Sequence, residues 1–106
     1  MLVLFDQGTP VPLRQMLTQH EVATAHERGW SQLKNEDLLD AAEREGFAVL
    51  VTTDTNLKYQ PNLGPRRLAI VVLTTTSWPR IQRAVGAVVA AVDGATAGSY
   101  VEVEIP

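Results

Sequence analysis

Three segments of the chain consist entirely of apolar residues, and each is followed by polar residues. They are residues 2–5, 47–51 and 68–73. A strand that is buried on both faces has this pattern, because none of its side chains points to solvent. The pattern therefore predicts three central strands of a mostly parallel sheet.

Two weaker segments extend the predicted sheet. Residues 21–24 are short and of mixed polarity, and in residues 100–105 three apolar residues alternate with Glu102 and Glu104. Alternation with a period of two is typical of a strand with one solvated face, which often lies at the edge of a sheet. We therefore expect residues 100–105 to form an edge strand.

Helical patterns separate these strands. The clearest helix is predicted to begin at Asn35, a favoured N-cap residue, and to end at Gly46. A second helix is predicted over residues 79–92, with a proline in its first turn, and shorter helical turns over residues 11–18 and 25–30. The alternation predicts an α/β fold over residues 1–106: a three-layer sandwich with a mostly parallel sheet of four to five strands and helices on both faces.

Composition narrows the class of protein. The 106 residues suffice for one domain, and the absence of cysteine excludes disulfides and thiolate metal sites and fits a cytoplasmic location. No apolar stretch is long enough to cross a bilayer, so we expect no membrane association. The net charge of −3 argues against a broadly basic nucleic-acid surface. It is compatible with a metal-dependent nuclease that has a local basic group, here Lys58, Arg66 and Arg67.

Two aspartates follow strands of the predicted parallel sheet. Asp6 follows the first strand and Asp54 follows the third. The carboxyl ends of parallel strands meet at one edge, where ligands of open α/β sheets bind. Carboxylates that converge there repel each other, and a divalent cation such as Mg²⁺ relieves that repulsion. Each aspartate could equally form a turn or cap a helix.

Further acidic residues stand at the start of the predicted helix. Glu36, Asp37 and Asp40 follow Asn35 and could approach the same edge, although solvated first-turn charges are the commoner role of such residues. The histidines, His20 and His26, lack a third ligand nearby and do not predict a zinc site. Both tryptophans, at positions 30 and 78, are interpreted as packing residues rather than stacking platforms.

Two other classes of protein with an essential aspartate after a strand match this sequence poorly. Haloacid-dehalogenase phosphotransferases need a second aspartate two residues after the first, and no acid follows Asp6 at that spacing. Response-regulator receivers need an acidic pair at the first strand and a lysine after the fifth. This chain has a single aspartate at the first place and no lysine after residue 100.

Three stretches in order along the chain carry a family resemblance. They are Leu-Phe-Asp-Gln-Gly-Thr-Pro at residues 4–10, Gly-Trp-Ser-Gln-Leu-Lys-Asn-Glu-Asp-Leu-Leu at 29–39 and Val-Leu-Val-Thr-Thr-Asp-Thr-Asn-Leu at 49–57. Together they resemble the small PIN-like proteins of unknown function. The resemblance extends over essentially the whole chain, including the closing segment at residues 98–106.

The resemblance implies a PIN-type fold whose sheet-edge acids bind Mg²⁺ or Mn²⁺ for the cleavage of RNA, often in toxins of toxin–antitoxin pairs. It assigns Asp6 and Asp54 to catalysis and metal binding, with Asp37 beside them. An antitoxin or another protein is then a candidate partner, and a homo-oligomer is the default assembly. The candidates for substrate binding are Asn35, Lys58, Arg66 and Arg67.

The chain departs from the family pattern at three places. Asn35 is neutral where an aspartate is usual, Gln7 replaces a frequent acid, and residues 74–77 contain no carboxylate. Two functions therefore stay open: a toxin-like, metal-dependent endoribonuclease, or an inactive PIN-like scaffold that works as a protein-binding module. Small-molecule or phosphate binding is a third, since a fold does not determine a function.

Overall fold

Five strands form one sheet, and every neighbouring pair runs parallel. The computed structural model describes residues 1–33, 35–57 (without the Asn35 side chain) and 66–106. The α/β class and the parallel sheet predicted from the sequence are confirmed. The strands are Leu2–Phe5 (β1), Glu21–Thr24 (β2), Val49–Thr52 (β3), Ala69–Leu73 (β4) and Tyr100–Val103 (β5).

The strand order is β2-β1-β3-β4-β5, which is the order of flavodoxin-like doubly wound sheets. The chain first adds β2 on one side of β1 and then crosses to the other side to add β3, β4 and β5. The carboxyl ends of β1 and β3 therefore flank the point where the order reverses, and sheets of this kind bind ligands there. β5 lies at an edge, as its alternating sequence predicts.

Alternate residues of the central strands belong to two separate hydrophobic clusters. One cluster holds Val3, Phe5 and Val51 and the other holds Leu4 and Leu50. Successive strand residues point to opposite faces, so the two clusters pack on opposite faces of the sheet. This double burial explains why β1 and β4 are apolar throughout and why β3 is apolar up to Thr52, its last residue.

Helices contribute to both clusters. The first cluster includes residues of a 3₁₀ helix (Val11–Met16) and of two helices, Trp78–Arg83 (α2) and Val85–Asp93 (α3), whereas the second includes residues of Asn35–Arg44 (α1). In the described ranges, no helix is long and apolar enough to cross a membrane.

Helix α1 ends where the sequence predicts. The Phe47 N–H donates to the Ala42 carbonyl at 2.9 Å and the Gly46 N–H donates to the Glu43 carbonyl at 3.1 Å. Gly46 has a φ of 85°, a left-handed conformation that glycine adopts without the penalty of a Cβ. This pair of hydrogen bonds is the Schellman arrangement, and Phe47 then enters the core as β3 approaches.

The prediction of one continuous helix over residues 79–92 is wrong. The segment forms α2 and α3, which are separated at Ala84 with φ −115° and ψ 21°. The Ala84 N–H donates to the Ile81 carbonyl, three residues back, and this tighter turn ends α2. Alanine is the strongest helix former, so the break has no signal at its own position. Ile81 and Val88, on either side of it, are both completely buried.

Candidate functional site

The two aspartates lie together at the carboxyl edge of β1 and β3. The Asp6 N–H donates to the Val51 carbonyl at 3.2 Å, which extends the β1–β3 ladder by one residue and sets Asp6 beside Thr52. Asp54 follows two residues later, and side chains two residues apart point to the same face. Both aspartates are half-buried and line the same two cavities, on the side where α1 packs.

Two threonine hydroxyls hold Asp6 in place. The Thr9 Oγ1 lies 2.8 Å from Asp6 Oδ1 and 2.9 Å from the Val51 carbonyl, and its single proton is shared between these acceptors. The Thr52 hydroxyl donates to Asp6 Oδ2. Thr9 and Thr52 are both buried, so these hydrogen bonds fix the orientation of the Asp6 carboxylate.

Thr52 also connects the two aspartates. While its hydroxyl donates to Asp6, its oxygen accepts the Asp54 backbone N–H at 3.1 Å. Asp54 in turn accepts the Asn56 N–H through Oδ1 at 3.0 Å, which closes a turn after β3. A chain of hydrogen bonds thus sets the position of the Asp54 backbone relative to the Asp6 side chain.

Gly8 allows the loop after β1 to pack against the loop after β3. A Cβ built on Gly8 would collide with the Thr53 hydroxyl and lie 3.8 Å from Asp6 Oδ1. A glycine is needed here for close approach rather than for an unusual backbone angle. The glycine thereby keeps the Asp6 loop against the loop that carries Asp54.

A small cavity lies directly at the aspartates. Its volume is about 40 Å³, and among the described residues Asp6, Thr52 and Asp54 supply its polar lining. About 10–15 Å³ holds one water-sized particle, so this space accommodates a single ion or a few waters. The remaining lining is apolar and comes from Leu38, Leu39, Leu50 and Leu57.

A larger cavity of about 270 Å³ opens from the same aspartates. Gln7, Gly8 and Ser31 add polar lining, and none of the described residues that line it is basic. Its apolar wall is formed by Ala25, Trp30, Leu33 and Leu38. The lining of the cavity therefore combines two carboxylates with apolar side chains.

The turn that carries Trp30 is closed at both ends by hydrogen bonds. The Thr24 N–H donates to Glu27 at 2.9 Å and the Glu27 N–H donates to the Thr24 hydroxyl at 3.1 Å, a reciprocal pair known as a capping box. At the other end, the Trp30 N–H donates to the Ala25 carbonyl at 2.8 Å beside Gly29. The helical turn predicted for residues 25–30 is present.

The Trp30 ring is itself held by neighbours. It packs edge-to-face on Phe47, with ring centroids 5.9 Å apart, and the Arg28 guanidinium lies 5.0 Å from its centroid. Arg28 also pairs with Glu45 at 2.9 Å, which holds the guanidinium in place. These contacts orient the indole before any ligand enters.

Another cavity, of about 340 Å³, lies on the other side of Asp6 and Gln7. Arg14 and Glu27 line it as a two-pronged ion pair, with Nη1 of Arg14 3.2 Å from Oε2 of Glu27. The hydrogen bond from Arg14, assisted by the Thr24 N–H, holds the pKa of Glu27 below its ordinary value. The arginine charge is thereby neutralised locally by Glu27.

The structure does not gather every predicted site residue at this edge. Asp37 is exposed in the first turn of α1, and neither of the cavities shared by Asp6 and Asp54 has it in its lining. The Asn35 side chain and Lys58 lie outside the described residues. Over the described ranges, no group of three or more histidine, aspartate or glutamate side chains is placed to hold a metal. The acidic site consists of Asp6 and Asp54.

Arg66 and Arg67 lie at the opposite edge of the sheet, because they come directly before β4. Arg66 Nη1 is 2.7 Å from Asp40 Oδ1 and 3.9 Å from Glu43 Oε2, and its side chain is only 8% exposed. The Arg67 N–H donates to Glu43 at 2.7 Å. These contacts tie the start of β4 to α1 and separate both arginines from the aspartates.

Several residues of the site were missed from the sequence or assigned another role. The sequence does contain a signal for Thr9 and Thr52, because each is a hydroxyl residue close to an acidic residue that is predicted to lie at the edge of the sheet. Trp30 was interpreted as packing, and it both packs on Phe47 and lines the cavity. His20 Nε2 lies 2.6 Å from Asp93 Oδ1, a contact that the sequence does not indicate.

Protein-family models, curated proteins and solved structures were all compared with the chain, and none matches it.

Proposed function

We propose that the chain is a PIN-like protein that binds Mg²⁺ or Mn²⁺ between Asp6 and Asp54 and cleaves RNA with the help of that cation. The observation that carries the proposal is the small cavity to which Asp6, Asp54 and Thr52 contribute the polar lining among the described residues. The proposal rests on these side chains and not on the strand order, which many doubly wound proteins share.

The donor set fits a hard divalent cation. Two carboxylates that line one partly apolar cavity repel each other, and a cation between them removes that repulsion. Mg²⁺ typically takes one or two carboxylates and keeps several waters, so two aspartates are sufficient as protein ligands. The hydroxyls of Thr9 and Thr52 act as the supporting groups that orient ligating carboxylates.

Held by Asp6 and Asp54, a divalent cation would supply an activated water and charge stabilisation for the cleavage of a phosphodiester. The chain's own residues position the substrate and limit the access of bulk water. Because Arg66 and Arg67 contact α1 at the other edge, we assign the main phosphate contact at this site to the cation. A cytoplasmic location and an antitoxin-like protein partner belong to the same proposal.

Mn²⁺ binding measured by calorimetry tests the proposal. We expect the wild-type chain to bind Mn²⁺ and the Asp6→Asn/Asp54→Asn variant to lose binding. Glu36→Gln is the matched control, because it removes one exposed carboxylate from the nearby start of α1 and should leave binding unchanged. Absence of binding by the wild type at millimolar Mn²⁺ would reject the cation site. Cleavage of a single-stranded RNA by the wild type but not the double variant then tests catalysis.

A second candidate function is that of a catalytically inactive, PIN-like protein-binding module. Two observations favour it: the acidic site has only two carboxylates, and Val11 and Met16 of the 3₁₀ helix are 55% and 38% exposed. Exposed apolar residues of this kind are suited to a contact with a partner protein or a second copy of the chain. Sedimentation of the wild type and of Val11→Ser/Met16→Ser distinguishes this function from the first. A protein-binding module predicts that the wild type self-associates, that the variant is monomeric and that neither binds Mn²⁺.

A further inference from the structure

We infer that Trp30 is a stacking platform for the base of one RNA nucleotide whose phosphate is held by the cation between Asp6 and Asp54. This inference rests on the proposed function and deepens it, because it names the substrate unit and a residue that positions it. The 270 Å³ cavity joins both parts, because its lining includes the two aspartates and Trp30.

The shape and lining of the cavity suit a single nucleotide. Its volume lies near the lower end of the roughly 300–1,000 Å³ usual for small-molecule sites, so it has no room for a paired duplex. Trp30, Leu33 and Leu38 provide an apolar wall for a flat ring. Gln7 and Ser31 supply amide and hydroxyl groups that can hydrogen-bond to a base or a ribose.

The indole is oriented in advance for stacking. Phe47 supports it edge-to-face, and Arg28 lies over it while paired with Glu45. A ring that is already fixed loses little conformational freedom when a base stacks on it. Bases of all four kinds have a π face, so this contact recognises a nucleotide with little preference for its sequence.

The charge of the cavity makes binding depend on the cation. None of the described residues that line it is basic, and two carboxylates face the space, so a phosphate alone is repelled. A divalent cation in the adjoining 40 Å³ cavity would offset the charge of the two carboxylates and offer a phosphate oxygen a positively charged ligand. Base stacking on Trp30 should therefore appear only when Mg²⁺ is bound.

Fluorescence of Trp30 provides the test without altering Trp30 itself. The chain has two tryptophans, so Trp78→Phe leaves Trp30 as the single emitter. In this background we expect adenosine 5′-monophosphate with Mg²⁺ to quench the emission saturably, and ribose 5-phosphate with Mg²⁺ to leave it unchanged. Quenching that is equally strong in EDTA, or after Asp6→Asn/Asp54→Asn, would overturn the inference.

Calorimetry separates failure of this inference from failure of the proposed function. Mg²⁺ binding without quenching by the nucleotide would reject the role of Trp30 and leave the cation site intact. Absence of Mg²⁺ binding would reject both. Trp30→Leu should weaken nucleotide binding roughly 5- to 150-fold, the range of base stacking, with Mg²⁺ affinity unchanged. An equal loss of Mg²⁺ affinity in Trp30→Leu would show that Trp30 only supports the structure and would overturn the inference.

Discussion

The two edges of the sheet both carry acidic residues, but the surroundings of those residues differ. At the amino edge, Glu43 Oε1 accepts the N–H groups of Arg67 at 2.7 Å and Leu68 at 2.9 Å. At the carboxyl edge, the two cavities that Asp6 and Asp54 share have no basic residue among their described lining residues. One set of carboxylates joins secondary-structure elements, and the other set borders space that a ligand can enter.

The hydrogen-bond partners of a carboxylate and the space beside it distinguish a structural carboxylate from a ligand-binding one. Glu43 stabilises the fold because it satisfies two backbone donors at the start of β4. Asp6 is also hydrogen-bonded, but by side-chain hydroxyls that orient it toward a cavity shared with a second carboxylate. Variants at the two edges should therefore affect different properties: cation affinity at the carboxyl edge and folding stability at the amino edge.

The largest expected effect is that of Asp6→Asn on cation binding. Removal of a group that hydrogen-bonds to a metal ligand lowers metal affinity about 10- to 100-fold, so we expect loss of a direct ligand to lower it by more than about 100-fold. Calorimetric titration with Mg²⁺ measures the change. The thermal midpoint provides a second readout, because a ligand that binds only the folded state raises it. Mg²⁺ should raise the midpoint of the wild type but not that of Asp6→Asn.

Asp40→Asn is the matched control from the other region. It removes a carboxylate that pairs with Arg66, and it should leave the affinity for Mg²⁺ unchanged. If Asp40→Asn weakens Mg²⁺ binding as much as Asp6→Asn does, the division between the two edges is wrong.

Thr52→Val should have the next largest effect on the affinity for the cation. The substitution preserves the shape of the side chain but removes the hydroxyl that contacts both the Asp6 carboxylate and the Asp54 N–H. We expect affinity for Mg²⁺ to fall about 10- to 100-fold, as for other supporting partners of metal ligands. Stability should also fall by about 0.5–1.5 kcal/mol, because a partly buried N–H loses its acceptor. Unchanged affinity in Thr52→Val would mean that the hydroxyl does not orient the ligands.

Glu43→Ala tests the structural role of the carboxylate at the amino edge. Two backbone N–H groups, those of Arg67 and Leu68, lose their acceptor, so the free energy of unfolding should fall by about 1–3 kcal/mol. Urea denaturation measures the change. Glu43→Gln is the control, since its amide oxygen can still accept both donors and should restore much of the stability. Both variants should bind Mg²⁺ like the wild type, and a loss of affinity in either would contradict the assignment.

The sequence predicts the strands well because double burial leaves an unmistakable apolar run. β1 and β2 have the predicted bounds, and the positions of Asp6 and Asp54 follow from the parallel direction of β1 and β3. The same reasoning places Arg67 at the other edge, since it precedes a strand instead of following one. Its proposed contact with phosphate relied on charge and did not take the direction of the strand into account.

Two features depend on packing that no local pattern encodes. Trp30 reaches the cavity because its turn is closed against Ala25 and its ring rests on Phe47, seventeen residues further along the chain. The break at Ala84 occurs at a strong helix former. Neither a short turn nor an alanine indicates such long-range packing in the sequence. The continuous helix was therefore the natural prediction, and Trp30 was identified only as a packing residue.

The smallest expected effect is on the pH dependence of folding stability, through Glu27 in the turn that carries Trp30. The pKa of Glu27 lies below its ordinary value of 4.5, chiefly because Arg14 donates a hydrogen bond to it. A lowered pKa in the folded state means that ionised Glu27 favours folding above pH 4.5 and that this contribution is lost as the pH falls through the folded-state pKa. Glu27 is solvent-accessible, so screening keeps the effect small.

Urea denaturation of wild type and Glu27→Gln at pH 7 and pH 3 measures this contribution. The wild type should be more stable than Glu27→Gln at pH 7, and the difference should shrink as the pH is lowered toward 3, because protonation of Glu27 progressively removes its charge. Arg14→Gln in the same pair of experiments removes the main cause of the lowered pKa and should reduce the pH dependence attributable to Glu27. A difference between wild type and Glu27→Gln that is equal at both pH values would mean that Glu27 acts through its uncharged hydrogen bonds with Thr24 alone. The ion pair would then contribute nothing to the turn that supports Trp30 at the carboxyl edge.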